Sequence, residues 1–307
     1  MIEDNAYDCI LIGGSGFVGS HLINHLISKK CKILVIGRNR PKEIPDKNWR
    51  FFDLTSPEKF LGKPVQAKVC IYNSALKGRF EKSSSQWNLQ GKITSPDFQM
   101  LMSYLGVQVS RLITIGSSEE YGIKDKDDLI LETQETKPIT SYGYWKVQLY
   151  NQGQKWASTE NQSHLHLRPF VVFGIGQDKN MFLGSLINSL LDRQTYKMTL
   201  GEQWRSFISV STLCDIIERS IELKNRNINL LNVSSPAYIQ IRDLALMVQK
   251  IVGYGDLSFG SVPYREYEIW HQRPSLKLLH DLWPDLSFPD FESEIKKMVV
   301  QEKSLHS

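Results

Sequence analysis

The sequence predicts an α/β protein: a doubly wound parallel sheet with a smaller α/β lobe toward the C-terminus. Three observations predict it. Short apolar runs alternate with longer helical patterns from the N-terminus to the middle of the chain. A glycine-rich turn joins the first run to the first helical pattern. Beyond Gly174 the alternation breaks down, and four prolines punctuate the last part. Strand-helix alternation calls for parallel strands joined by crossover helices. Each run is continuously apolar, as suits a strand covered on both faces.

The apolar runs are Cys9 to Ile12, Lys32 to Ile36, Arg50 to Phe52, Lys68 to Tyr72, Arg111 to Ile115 and His164 to Leu167. Helical patterns occupy Phe17 to Ser28, Trp87 to Leu105 and Tyr142 to Trp156. Past Gly174, Met181 to Asp192 reads as a helix and Lys197 to Leu200 as a strand. Ser206 to Val233 reads as strand, helix, strand, and is expected to return to the sheet. The amphipathic stretch Ile241 to Val252 reads as a helix. A loop-rich region with Pro263, Pro274, Pro284 and Pro289 is expected after it.

Composition narrows the class. With 307 residues, 41% hydrophobic and 23% charged, the chain can bury a sizeable core. A net charge of +4 without a Lys/Arg run argues against nucleic-acid binding and is compatible with a small anionic substrate. The start, Met1 to Asn5, is polar and acidic, unlike a secretory leader. No apolar stretch approaches the about 18 residues of a membrane span. Cys9, Cys31, Cys70 and Cys214 are spaced for neither a metal site nor a disulfide framework. The expectation is a cytoplasmic protein with reduced thiols, no membrane contact and no metal.

The turn Gly13-Gly14-Ser15-Gly16-Phe17-Val18-Gly19 follows the first strand and opens the first helix, the context of a Rossmann-like dinucleotide site. Gly13 permits the tight turn. Gly16 lets backbone approach a pyrophosphate, and Gly19 allows close helix-strand packing. Helix N-terminal N–H groups at Ser15 to Gly19 offer donors and partial positive charge. Asn73, Ser74 and Ala75, after the run Lys68 to Tyr72, are counted with the cofactor site. Cofactor identity is read at the end of the second strand, where an acidic residue would bond the ribose 2′-OH of NAD. Here Gly37-Arg38-Asn39-Arg40 stands instead, with no carboxylate before Glu43. Arg38 suits a 2′-phosphate and Arg40 can add charge, unless both are solvated loop arginines. NADP(H) is therefore expected over NAD(H). Asp53 either contacts the adenine or caps a helix begun by Thr55-Ser56-Pro57-Glu58.

Tyr142 and Lys146 are four apart on a helical pattern and so share a face. A tyrosine is a poor acid-base group at neutral pH unless nearby positive charge favours its phenolate, and Lys146 can supply that charge. Ser117 and Ser118 follow the strand Arg111 to Ile115, at a carboxyl end where open sheets place ligands.

With these residues in hand, the chain resembles the extended short-chain dehydrogenase/reductase family, in its nucleotide-sugar-modifying branch. The resemblance rests on the glycine turn, on Asn88-Leu89-Gln90-Gly91, and on Gly116-Ser117-Ser118-Glu119-Glu120-Tyr121-Gly122. It rests further on Ser141-Tyr142-Gly143-Tyr144-Trp145-Lys146 and on Arg168-Pro169-Phe170-Val171-Val172-Phe173-Gly174. It implies Ser117 as the hydroxyl that orients substrate oxygen, Tyr142 as acid-base residue, and Lys146 as its partner on the nicotinamide ribose. It also implies diphosphate contacts from Arg205, in Arg205-Ser206-Phe207, and from Arg273, before Pro274. Ser118 and Glu119 or Glu120 are placed at the sugar, or else in a solvated loop. The chain departs from the pattern at Val171, at Ser206 and across Val210 to Asp215.

The expected division is 1–173 for the NADP-binding domain, with 206–233 returning to it. Segments 174–205 and 234–307 form the substrate-binding lobe. The run Ser-Ser-Glu-Glu-Tyr-Gly is most like reductases of nucleotide-linked 4-keto-6-deoxy sugars; epimerases, 4,6-dehydratases and a non-catalytic NADP sensor are the alternatives. Tyr144, Trp145, Val147, Leu149 and Tyr150 crowd the Tyr-Lys helix, and the family commonly pairs that helix across a homodimer.

Overall fold

In a computed structural model of the chain, the residues described are 6–53, 64–74, 97–124, 129–223 and 227–306. The motif Asn88 to Gly91, Ala75 and the helix start at Thr55 lie outside them. In chain order the elements begin β1 (Ala6–Ile12), α1 (Phe17–Ser28), β2 (Ile33–Gly37), β3 (Trp49–Phe51) and β4 (Val65–Tyr72). Then follow α2 (Phe98–Leu105), β5 (Val107–Ile115), α3 (Ser141–Glu160), β6 (Ser163–Pro169), β7 (Val171–Phe173) and α4 (Phe182–Leu191). The remainder is β8 (Thr195–Met198), β9 (Trp204–Ser209), α5 (Val210–Ile221), β10 (Leu230–Val233), β11 (Tyr238–Gln240) and α6 (Ile241–Val252). It closes with β12 (Asp256–Phe259), β13 (His271–Gln272), α7 (Lys277–Leu282) and α8 (Phe291–His306).

The chain divides into two compact units. The first comprises Met1–Glu120, Pro138–Arg168 and Cys214–Leu231. It is built on the Rossmann-like seven-stranded sheet, in the order β10-β6-β5-β4-β1-β2-β3. Register sets the rows: Ile36, Ile12, Tyr72, Thr114 and His166 lie side by side near the carboxyl ends. From β1 the chain winds outward to β3, then crosses back to β4 and on to β6. That reversal makes a switch point outside β1 and β4, where open sheets hold ligands. Cys9 to Ile12 are 0 to 1% exposed, which explains why the run carries no polar residue. On α1, Gly19, Leu22, Ile23 and Leu26 are the buried positions, one stripe at helical spacing. Ile10, Leu34, Cys70 and Leu112 pack with Phe98, Leu101, Leu149 and Trp156 in one core.

The second unit comprises Tyr121–Lys137, Pro169–Leu213 and Asn232–Ser307. β9 pairs with β7, β11 and β13, and β12 pairs with β8. α4, α6 and α8 share a core through Leu186, Leu190, Leu244, Val248, Ile295 and Val299.

The segment from Ser206 does not return whole: β10 joins the seven-stranded sheet, whereas β9 lies in the smaller one. An apolar strand pattern specifies burial but not its partner. The loop-rich region holds β12, β13 and the short α7, and α8 follows Pro289, a helix the sequence pattern did not mark. Asp290 starts it, accepting from the Ser293 amide at 2.8 Å. Among the described residues no helix is long and apolar enough to cross a membrane. Cys9, Cys70 and Cys214 are buried free thiols and Cys31 is half-buried.

Candidate active site

The glycine turn is shaped by backbone contacts. Gly13 has φ +93°, and a Cβ there would lie 2.7 Å from the Ser74 nitrogen. A Cβ on Gly19 would lie 2.5 Å from the Gly13 oxygen. Around Gly16, by contrast, there is nothing within 4 Å of the Cβ position. Gly16 is also the N-cap of α1 and makes no side-chain cap bond, which leaves the first-turn N–H groups for an anion. Asn73 donates from Nδ2 to the Gly13 oxygen at 3.0 Å and so braces the turn from β4. Ser15 is exposed, while Phe17 and Val18 are half-buried. A tight, braced turn with open space at Gly16 alone fits the pyrophosphate of a dinucleotide. At the end of β2, Arg38 is exposed. Arg40 instead pairs with Asp46. Asp53 is half-buried after β3.

Tyr142 and Lys146, on α3, lie beside the end of β5, the strand that Ser117 follows. Thr140 caps α3, its Oγ1 accepting from the Gly143 amide at 2.9 Å. That start puts Tyr142 in the first turn, half-buried, with Lys146 one turn on and 4% exposed. Lys146 Nζ donates to the Ile115 carbonyl at 2.5 Å and lies 5.5 Å from the Tyr142 ring centre. The lysine thus ties α3 to the strand end that carries Ser117. Gly143 lets the helix close on the turn after Ser117: a Cβ there would stand 2.6 Å from the Glu119 oxygen. Ser117 Oγ accepts from the Glu119 amide at 3.2 Å. Glu119 Oε2 accepts from Thr140 Oγ1 at 2.6 Å, and Ser118 is buried.

Glu120 was expected at sugar hydroxyls or in a solvated loop; it is 0% exposed. Its oxygens take the Ser117 amide at 2.8 Å, His166 Nε2 at 2.9 Å and Arg168 Nε at 2.7 Å. Burial pulls its carboxyl upward, but His166, Arg168 and the Ser117 amide outweigh that and hold it below the ordinary value. Burial holds His166 below its ordinary value, with Arg168 and Lys146 adding to that and Glu120 opposing it. Sequence reasoning missed His164, His166 and Arg168 because two histidines in an apolar strand carry no pattern of their own.

In the second unit, Arg205 is turned inward. Its Nη2 donates to Glu268 at 3.0 Å and its Nη1 to the Trp204 carbonyl at 3.0 Å. Burial lowers its pKa and Glu268 opposes the shift. Arg273 lies over the Tyr238 ring at 5.3 Å and is exposed. Glu268 gave no sequence signal, since a surface-type glutamate in a loop is ordinary.

A dinucleotide turn at a sheet switch point, with Tyr, Lys and Ser gathered at a neighbouring strand end, defines an NAD(P)-dependent oxidoreductase. A family model described as the NAD dependent epimerase/dehydratase family matches residues 9–233, and the chain belongs to that family. It is 26% identical over 229 residues to GDP-6-deoxy-D-talose 4-dehydrogenase of Aggregatibacter actinomycetemcomitans, covering 72% of this chain and 73% of that one. It is 21% identical to CDP-abequose synthase of Yersinia pseudotuberculosis, covering 85% of this chain and 89% of that one. Among solved structures it is similar in fold to a UDP-glucuronic acid 4-epimerase from Bacillus cereus in complex with UDP-glucuronic acid and NAD. The TM-score there is 0.79 at 19% identity, over 97% of this chain and 99% of the other.

Proposed function

We propose that this nucleotide-sugar-modifying enzyme is an NADPH-dependent reductase of a nucleotide-diphosphate-linked 4-keto-6-deoxy sugar. The observation that carries it is the Ser117-Tyr142-Lys146 set beside a cofactor turn whose neighbouring strand end presents exposed Arg38 and no carboxylate. A 2′-phosphate suits that arginine, and net reduction needs a cofactor that is consumed and released. Relatives named for a 4-dehydrogenase of a 6-deoxy sugar and for a CDP-linked sugar synthase support the substrate class.

Gly13 to Gly19 hold the pyrophosphate and Asn73 with Ser74 brace them. When bound, NADPH supplies a hydride for C4 of the keto sugar. Tyr142 gives its hydroxyl proton to the oxygen that becomes the alcohol. Ser117 orients that oxygen, and the cation of Lys146 favours the phenolate left behind. Acid catalysis of this kind is worth about 10² to 10⁴ in rate, and positioning adds to it. Arg273, exposed on its tyrosine, is the group offered to the diphosphate, whereas Arg205 positions the loop carrying Glu268. Glu119 and Ser118 border the sugar. Half-buried Tyr144 and Val147 on α3 support a homodimer, and the free thiols support a cytoplasmic site.

The test is NADPH consumption by the purified protein across GDP-, dTDP-, CDP- and UDP-linked 4-keto-6-deoxy sugars. Consumption with one of them supports the reading. Copurification of tightly bound oxidised cofactor, with no net consumption, would favour an epimerase or a 4,6-dehydratase, the latter drawing on Glu119. Cofactor binding without turnover of any sugar would favour an NADP sensor.

A further inference from the structure

Behind the strand end that carries Ser117 lies a chain of buried polar groups that the reaction does not itself use. Thr114 and His166 are 0% exposed, Arg168 2% and His164 3%. Register explains the meeting: Thr114 of β5 sits directly beside His166 of β6. Two glycines make room for it. A Cβ at Gly116 would collide with His166 Nε2 and Glu120 Oε1, and a Cβ at Gly153 would collide with the His164 ring. Tyr150 closes the side, its ring 5.3 Å from that of His166.

The hydrogen bonds in this chain run one way only. A carboxylate accepts and never donates, so His166 Nε2 carries the proton it shares with Glu120. Neutral His166 must then accept at Nδ1, from Thr114 Oγ1 at 2.6 Å. The hydroxyl has one proton, so Thr114 accepts from His164 Nε2 at 2.7 Å. His164 Nδ1 is left to accept, and it faces Gln154 Nε2 at 2.9 Å, an amide nitrogen that only donates. The two ends require the same polarity. Protonating His166 at Nδ1 would reverse the chain and set two donors against each other at Gln154.

We infer that Glu120 is a positioning residue: it holds the Ser117 backbone, and through it the Ser117 hydroxyl, while the one-way chain from Gln154 fixes the carboxylate in place. A buried polar network costs desolvation that an apolar side chain at 120 would avoid. Its outlet here is the amide of the residue that orients the substrate oxygen. The kinetic side of this inference rests on the reductase reading.

The test is a double-mutant cycle of Glu120→Gln with Ser117→Ala, read on the sugar the panel identifies, together with amide hydrogen exchange at Ser117 without substrate. Glu120→Gln sets an amide donor against His166, Ser117 or Arg168, so kcat falls about tenfold with the KM for NADPH nearly constant. In the Ser117→Ala background the same change alters kcat by less than about twofold. Exchange at the Ser117 amide quickens about tenfold while α1 amides stay as they were. Equal kcat losses in both backgrounds, or an unaltered Ser117 amide, overturn the inference. Should Glu120→Gln fail to fold, Glu120→Leu with Arg168→Leu removes both charges together and must show the same coupling. If the wild type reduces no sugar, the reductase reading fails, and the exchange measurement alone decides the positioning.

Discussion

Replacing Gly16 by alanine separates cofactor binding from folding. The position has φ −88° and ψ 177°, extended backbone that alanine adopts without strain. Its Cβ would meet nothing within 4 Å. Alanine is a poorer N-cap than glycine but also restricts the unfolded chain, and these effects oppose each other within about 1 kcal/mol. Melting should therefore stay close to the wild type. The added methyl stands where the pyrophosphate must approach the first N–H groups of α1. Losing one charge-assisted hydrogen bond there costs about 1.5 to 3 kcal/mol, or about 10- to 100-fold in Kd. Gly19→Ala is the contrast. Its Cβ would lie 2.5 Å from the Gly13 oxygen and 2.8 Å from the Gly14 carbonyl carbon, all backbone that has to shift. Such overpacking costs about 1 to 3 kcal/mol and should lower melting and affinity together. The assays are thermal unfolding of the apo protein and NADPH binding by fluorescence. Wild-type affinity in Gly16→Ala, or parallel losses of stability in both variants, would refute the phosphate-cradle assignment.

Tyr142→Phe removes the proton donor and should cut kcat by about 10² to 10⁴ with NADPH affinity retained; near-full turnover would exclude the tyrosine from proton transfer. Arg38→Ala should lower kcat/KM for NADPH by about tenfold or more while leaving NADH nearly unchanged, and an equal effect on both cofactors would count against a 2′-phosphate contact. His164 and His166 are held below their ordinary values, first by burial, and so stay neutral in the fold. Once unfolded they titrate near about 6.5, so below that pH the unfolded chain binds more protons than the native one. Stability is then full above pH of about 6.5 and declines as pH falls toward the depressed native values, by up to about 1.4 kcal/mol per pH unit for each histidine. Urea unfolding at several pH values between neutrality and mild acid checks this, and a flat profile would mean that the folded state also takes up the protons.

Periodicity determined most of the first unit. Cys9 to Ile12 of β1 and Ile33 to Ile36 of β2 are apolar on both faces and α1 is apolar along one stripe, and a lone sequence records both because burial selects side chains one at a time. α1 and α6 run over the residues their patterns predict. The glycine turn was legible for the same reason: Gly13 and Gly19 answer to atoms of the turn itself and of the adjacent strand end. Tyr142 and Lys146 were legible because four residues of helix place them on one face. Partnership between distant segments was not legible. Nothing in Trp204 to Ser209 says that this strand belongs to the smaller sheet, since strand pairing is a choice among edges of similar chemistry. Nothing in Arg205 says that Glu268, sixty-three residues on, holds its guanidinium. The two glutamates after Ser118 read alike in the sequence. Only the register of β5 with β6 brings Thr114, His166 and Arg168 to one of them and leaves the other on Thr140, because the fate of a charge depends on which groups folding packs against it.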